Sequence, residues 1–333
     1  MDRISDGDRV MKLHRRQFLG FAVRTTALFG IVSQASALDY PSRPVHLIVP
    51  FASGSSPDII ARLAGQALSQ RLGQPVVVEN KPGAAGNIGT EFVVRAAPDG
   101  YTLLLLTPTN VINQSIYTHL NFDFTRDIVP IASIDSDPFV MVVNPSVDAK
   151  TIHDFISYAK ANAGKLNMAS GGIGTPPHVC GELFNMMTGI DMVHVPYRGS
   201  PTADLISGQV QVAFPPIASV IGYIRAGKLR ALGVTTSTRS AELPDVPAIG
   251  EFVQGYEASG WLGIGAPKGI SSDAVDTLNK EINKVLAEPN IKARLVELGV
   301  TPMSMTPAEF RKLIAHATDK WAKVVKFAHI TAN

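Results

Sequence analysis

Two loops in this chain combine hydroxyls, glycines and an imminent helix start, a combination that can hold an anionic or carbonyl oxygen on backbone N–H groups. The first is Pro50-Phe51-Ala52-Ser53-Gly54-Ser55-Ser56-Pro57-Asp58. Ser56 is placed to cap the following helix and Pro57 to occupy its first position. A plain strand-to-helix turn is the alternative reading. The second is Ala169-Ser170-Gly171-Gly172-Ile173-Gly174-Thr175-Pro176-Pro177-His178. Its glycines allow close backbone approach, and Thr175 is expected to cap the next helix. The N–H groups from Gly172 to Thr175 are then expected to converge on one acceptor. Charge-assisted bonds contribute about 1.5–3 kcal/mol each, so two or three would hold a carboxylate. Pro176 and Pro177 remove two helix-start donors, which leaves the work to the loop.

Other candidate chemistry is weaker. Gly83, Gly86 and Gly89 in Asn80–Gly89 do not have the dinucleotide-binding spacing, and no Gly-Lys-Ser/Thr follows, so that loop reads as structural. The eight histidines include no pair at metal-ligand spacing supported by acids or cysteine. His178 reads as a packing or capping residue that could also face a ligand. Ser157-Tyr158-Ala159-Lys160 lies inside an amphipathic helix and lacks the partner motifs of a Ser-x-x-Lys enzyme. Tyr197 and Arg198 follow a buried-type strand and could reach a cleft, or be a packed Tyr with a surface Arg. Asp204 lies early in a helix, where an acid favours the dipole or, facing the cleft, binds a ligand ammonium or hydroxyl; Asp58 and Glu182 carry the same ambiguity. No catalytic set, metal or cofactor is expected. Cys180 is the lone cysteine and reads as a small buried hydrophobe.

The elements that must position these loops alternate between strand and helix patterns, as in an α/β protein with mostly parallel sheets. Strands are expected at 45–49, 75–79 and 101–106, with helices at 58–72 and 86–97 between them. The first helix should bury Ile59, Ile60, Leu63, Ala67, Leu68 and Leu72. A second set follows: strand 139–143, helix 151–163 with a capping-box start, helix 176–187, strand 192–195, helix 201–207, strand 210–214, helix 217–226 and strand 230–234. After a short strand at 261–265 come helices 272–287, 291–298 and 307–327. A terminal section with one strand completes another core, so the expected lobes are 38–138 plus 258–333, and 139–257. Chain crossings near 137–140 and 255–260 would form a hinge around a cleft.

The N-terminus reads as an export signal over residues 1–37. Arg15-Arg16 precede a weakly apolar stretch too short and too broken by Arg24 to span a bilayer. Ala35-Ser36-Ala37 supplies a small-x-small cleavage site. Twin arginines suggest export of the folded chain, with the general secretory route open, and Met11 is an alternative start. Six of the 30 Lys/Arg and three of the 28 Asp/Glu precede Leu38, leaving 24 basic and 25 acidic residues. That balance excludes a nucleic-acid footprint.

Seven short motifs, in order, carry a resemblance. They are Tyr40-Pro41-x-Arg43-Pro44 leading to Ile48-Val49-Pro50-Phe51; Asp58-x-x-Ala61-Arg62; Asn80-Lys81-Pro82-Gly83-Ala84-x-Gly86; and Pro98-Asp99-Gly100-Tyr101-Thr102-Leu103. His178-x-x-Gly181-Glu182-Leu183-Phe184, Val195-Pro196-Tyr197-Arg198-Gly199 and Asp204-Leu205-Ile206-x-Gly208-Gln209-Val210 follow. From about Tyr40 to Phe327 the chain resembles the Bug-type periplasmic receptors, solute-binding components of tripartite tricarboxylate transporters. The resemblance implies a type II two-lobed (Venus-flytrap) α/β binding protein whose two loops face each other and hold a carboxylate, partly through waters. The ligand-binding set it implies is Phe51, Ser53, Gly54, Ser55, Asp58 and Thr107, with Ser170, Gly172, Ile173, Gly174, Thr175, His178, Tyr197 and Asp204. Ser55 replaces a usual glycine and Pro177 a common serine, so the identity of the acid is open.

The resulting expectation is an exported monomer that captures a small mono- or dicarboxylate or related amide for transporter membrane subunits. Hand-over to a sensor kinase is the alternative, and a periplasmic enzyme acting on a small acid lacks a nucleophile–base set.

Overall fold

A computed structural model describes residues 40–332. The signal expected over 1–37, including its cleavage site, lies outside the described residues.

β1 (Val45–Val49), α1 (Ser56–Leu72), β2 (Val76–Asn80), α2 (Asn87–Val94) and β3 (Thr102–Leu106) open the chain. β1 is an almost uninterrupted buried apolar run that pairs in parallel with β2 and β3, as a strand covered on both faces must be. α1 buries Ile60, Ala61, Ala64, Ala67 and Leu68. Gly65 faces β2, where an added Cβ would make ordinary contact, 3.4 Å from Val76 and Val78. Ile59 is 41% exposed, against the expected helix face.

Several following elements were not foreseen: α3 (Pro108–Ile116), the short α4 (Phe124–Asp127) and β4 (Ile128–Asp137). β4 contains Pro130, two serines and two aspartates, and so lacks the apolar run of an inner strand. It is a strand because β10 pairs with it. The pairing has register shifts around Gly263 and Gly265, the latter opposite Pro130, where no N–H is available for the ladder.

The second group is β5 (Val140–Val143), α5 (Ile152–Ala161), β6 (Asn167–Ser170), α6 (Pro176–Thr188), β7 (Val193–Pro196), α7 (Thr202–Ser207), β8 (Val212–Ala213), α8 (Ile217–Arg225) and β9 (Arg230–Val234). The expected 210–214 strand shrinks to two residues. β10 (Gly260–Pro267), α9 (Ser272–Ala287), α10 (Pro289–Glu297), β11 (Thr301–Pro302) and α11 (Pro307–Phe327) complete the chain.

The strands form two sheets, ordered β11-β4-β10-β3-β1-β2 and β7-β6-β8-β5-β9. The chain passes between them at Asp137–Val140 and again near Ala258–Gly260. Phe139 and Thr235 bond to each other through main chain and side chain, Ala258 N–H donates to Thr235 O, and Gly260 pairs with Asp137. α11 starts with a Thr306–Glu309 capping box and packs against α3, β4 and α6. Its Phe310 ring meets Trp261 edge-on at 5.4 Å.

Gly263 of β10 sits under that ring. A Cβ there would fall 2.2 Å from Phe310 Cζ and 2.8 Å from Ala132 O. Gly263→Ala should therefore cost about 1–3 kcal/mol through overpacking. A shift of the urea midpoint at constant slope checks this; an unchanged midpoint would mean that β10 yields without cost.

Candidate functional site

Three helices begin at one cavity of about 180 Å³. Its wall includes Ser56 and Pro57 at the start of α1, Thr107, Pro108 and Thr109 at the start of α3, and Pro176 at the start of α6. Phe51, Phe139 and Trp261 supply aromatic surface, and Asp135 and Asp137 supply acids. Each of the three helices carries proline at its first or second position, which fixes φ where the missing N–H costs little. The positive ends of three helix dipoles thus meet in one space.

The donors there are mixed in availability. α3 satisfies itself: Thr107 N–H donates to Asn110 Oδ1 at 2.8 Å, and Thr109 N–H to Thr107 Oγ1 at 3.2 Å. In α1 the capping residue is Ser55 rather than Ser56, and its hydroxyl makes no cap bond. Ser55 Oγ is instead buried without a hydrogen-bond partner.

Of the residues expected to bind ligand, Phe51 and Thr107 line this cavity; the others do not. Ser53 and Gly54 are exposed. Asp58 is buried as a clamp, accepting from Gly54 N–H, Arg62 and Asn80 at 2.8–3.0 Å. Burial would raise its pKa, but Arg62, the Gly54 N–H and Asn80 together outweigh this and hold it at about 2.

The 170–175 loop is braced from within. Gly172 N–H donates to Ser170 Oγ, Gly174 N–H to His178 Nδ1, and Thr175 N–H and Oγ1 both to Gly172 O. The expected convergence of these N–H groups on one outside acceptor therefore does not occur in this arrangement; Ile173, 51% exposed, is the residue of the four whose N–H has no partner among the described residues. Beneath the loop, the His178 and His194 rings stack at 3.5 Å, and His194 Nε2 lies 2.7 Å from Ser170 Oγ. Burial, then the neighbouring His178, pushes His194 down to about 3, so it is neutral. Tyr197 donates its hydroxyl to Asp204 at 2.7 Å, so these two engage each other.

The sequence reading missed Asp135, Asp137, Phe139 and Trp261. A signal existed: Asp135-Ser136-Asp137 places two acids on one face of an extended segment. Asp135 has no exposed surface; its Oδ1 accepts from Leu262 N–H at 3.2 Å, and its Oδ2 has no partner. Burial, then the charge of Asp137, pushes Asp135 up to about 8. Burial, then Glu242, pushes Asp137 up to about 7.

Against this geometry, the tripartite tricarboxylate transporter family receptor family matches residues 60–330. The chain belongs to that family. BugT of Bordetella pertussis is 36% identical over 307 residues, covering 90% of this chain and 94% of BugT. Among solved structures, R. palustris Rpa4515 with adipate is 33% identical at a TM-score of 0.75, covering 88% of this chain and 99% of that one. The periplasmic binding protein BugD is 33% identical at a TM-score of 0.72, covering 88% and 100%. The two α/β lobes expected of this receptor family are the fold of this chain.

The buried acids set a pH dependence. Their folded pKa values lie above the unfolded value near 3.9, so the folded state holds extra protons and loses that advantage as pH rises through about 8. The depressed His194 acts below about pH 6.5, where its unfolded form titrates. Between about pH 6.5 and 8 stability should therefore fall with pH, and Asp135→Asn should flatten the slope. Denaturant midpoints across that range test this; parallel slopes for both proteins would exclude Asp135 as the source.

Proposed function

We propose that this chain captures a small carboxylate in the periplasm and presents it to the membrane subunits of a tripartite tricarboxylate transporter. The observation that carries the reading is the meeting of three helix N-termini at one cavity, which favours negative charge there without any cationic side chain. Ser56 and Thr109 add hydroxyls that have no hydrogen-bond partner among the described residues. Rpa4515, solved with adipate, supports a small acid as the class of solute. The lobes are 38–138 plus 258–333, and 139–257, closing as monomers about the paired crossings near Asp137 and Gly260. In the closed form the 170–175 loop, with Ser170, Gly172, Ile173, Gly174, Thr175 and His178, faces Ser53, Gly54 and Ser55 across the solute. Tyr197 and Asp204 flank it.

Calorimetry with small acids and their methyl esters tests the capture. Acids should bind and esters should not, and Thr109→Val should weaken the best acid by roughly tenfold, the scale of one lost hydrogen bond. Small-angle scattering on the same titration should show a smaller radius of gyration. Equal binding of acid and ester would sink the reading.

Export is assigned to the twin-arginine route with cleavage after Ala37. An Arg15→Lys, Arg16→Lys variant should stay in the cytoplasm, and N-terminal sequencing of the periplasmic protein should begin at Leu38. Undiminished export of the variant would assign the general secretory route.

A further inference from the structure

We propose that Gly299 and Gly174 select the chain length of the solute, by setting how closely the half of the molecule that carries the first sheet approaches the half that carries the second. This rests on the capture reading and deepens it, because the same cavity then sorts small acids by size.

Gly299 is the stronger case. It lies between α10 and β11 in the first half and faces Ala218, in the first turn of α8 in the second. A Cβ at Gly299 would fall 2.1 Å from Ala218 Cβ and 3.3 Å from Ala218 Cα. Both atoms of that clash are fixed to backbone, and neither has a rotamer to escape into. A methyl group there must therefore move one half away from the other. Gly174 makes a second close approach, from the loop before α6 in the second half to α3 in the first. A Cβ at Gly174 would fall 2.5 Å from Ile116 Cδ1 and 3.9 Å from Ile112 Cγ2. Ile116 belongs to the buried core, so its side chain has little room to swing aside.

Both contacts adjoin the cavity. Val300, next to Gly299, lines it, and so does Pro176, two residues after Gly174. Ala218 is tied to the wall as well: Ile217 N–H donates to Pro138 O, and Pro216 pairs with Phe139, which lines the cavity. The walls of the 180 Å³ space thus come from both halves, and the glycines limit their separation. Because Ala218 sits beside the chain crossing at Pro138, a wedge there acts near the pivot. The displacement it causes grows with distance from the crossing.

Charge and spacing divide the selection between them. The helix N-termini favour an anion whatever the length of its chain, so discrimination by length has to come from the distance between walls. Packed, backbone-anchored atoms set that distance sharply, since they cannot interpenetrate. With the walls held further apart, a short acid no longer touches both sides and loses dispersion contacts. A longer homologue gains the room it lacked. One methylene in an apolar pocket changes affinity by about tenfold or more, so even a small change in separation is measurable.

Calorimetry with two homologous series tests this: butyrate to heptanoate, and succinate to pimelate. Gly299→Ala should bind the acid that the unmodified protein prefers about tenfold more weakly and move the optimum to a longer homologue. Adding Ala218→Gly removes the opposing Cβ and should restore the original optimum. Gly299 has φ of +80°, so both variants carry the same backbone strain and should melt earlier alike; only the length preference should recover. Ala218→Val enlarges the other side of the contact at an ordinary helical position and serves if Gly299→Ala does not fold. Gly174→Ala, relieved by Ile116→Val, which deletes Cδ1, repeats the cycle at the second contact. An unchanged optimum in Gly299→Ala and Ala218→Val, equal weakening along a whole series, or a shift that Ala218→Gly fails to reverse overturns the spacing role and leaves carboxylate capture standing. Failure of the unmodified protein to bind any acid overturns the capture reading as well.

Discussion

The antiparallel pairing of β4 with β10 organises the molecule. β4 carries the chain out of the first sheet, and β10 returns it alongside β4 after an excursion of more than a hundred residues through the second. Because Asp137 pairs with Gly260, the two chain passages between the sheets lie side by side. The same pairing places Asp135 and Asp137 from one strand and Trp261 and Leu262 from the other on a common cavity wall. Its register is guarded by close packing: Gly263 and Gly265 face neighbours that leave no room for a Cβ, and Gly260 faces ones that leave little. A cavity assembled on backbone ladders keeps its dimensions better than one assembled on loops.

Three helix starts complete that wall, and each solves the problem of its free N–H groups differently. α3 uses a closed capping box, α1 an uncapped serine followed by proline, and α6 two prolines behind an internally bonded loop. The dipole of each helix persists whether or not its end is capped, so an anion is favoured even where few donors are open. The loop before α6 is stiffened rather than left open to a ligand. Ser170, Thr175 and the stacked His178–His194 pair bond most of its polar groups and tie the loop to the helix start.

The charges around the cavity are arranged unevenly. Asp58, the acid nearest in sequence to the serine-rich loop, is ion-paired with Arg62, accepts a hydrogen bond from Asn80, and holds that loop through the Gly54 N–H. Asp135 and Asp137 receive no such partner. Two kinds of acid therefore occur in this region: one is ion-paired and holds a loop, and the other is buried in the cavity wall without a cationic partner. This division follows from position, since Asp58 lies where a basic residue one helical turn away can reach it, whereas β4 is an inner strand with no such neighbour.

Residue pattern alone determined most helices and the parallel strands. Their signals are local: apolar runs for β1 and β3, proline and capping residues for α6 and α11, helical periodicity for α9. Motif order likewise marked the family, and two of the residues expected to meet a ligand, Phe51 and Thr107, line the candidate cavity. Tertiary structure decided the rest. β4 is mixed in polarity and carries a proline, and it becomes a strand only because β10 supplies the missing ladder from far along the chain. Ile59 faces outward while Ile60, Ala64 and Leu68 take the buried face of α1. The glycine loop reads as a row of open donors until folding brings Ser170 and His178 beneath it. Asp135 is an ordinary polar residue in sequence; enclosure by sheet, aromatic rings and a second acid makes it a buried one, because burial depends on neighbours that sequence distance conceals.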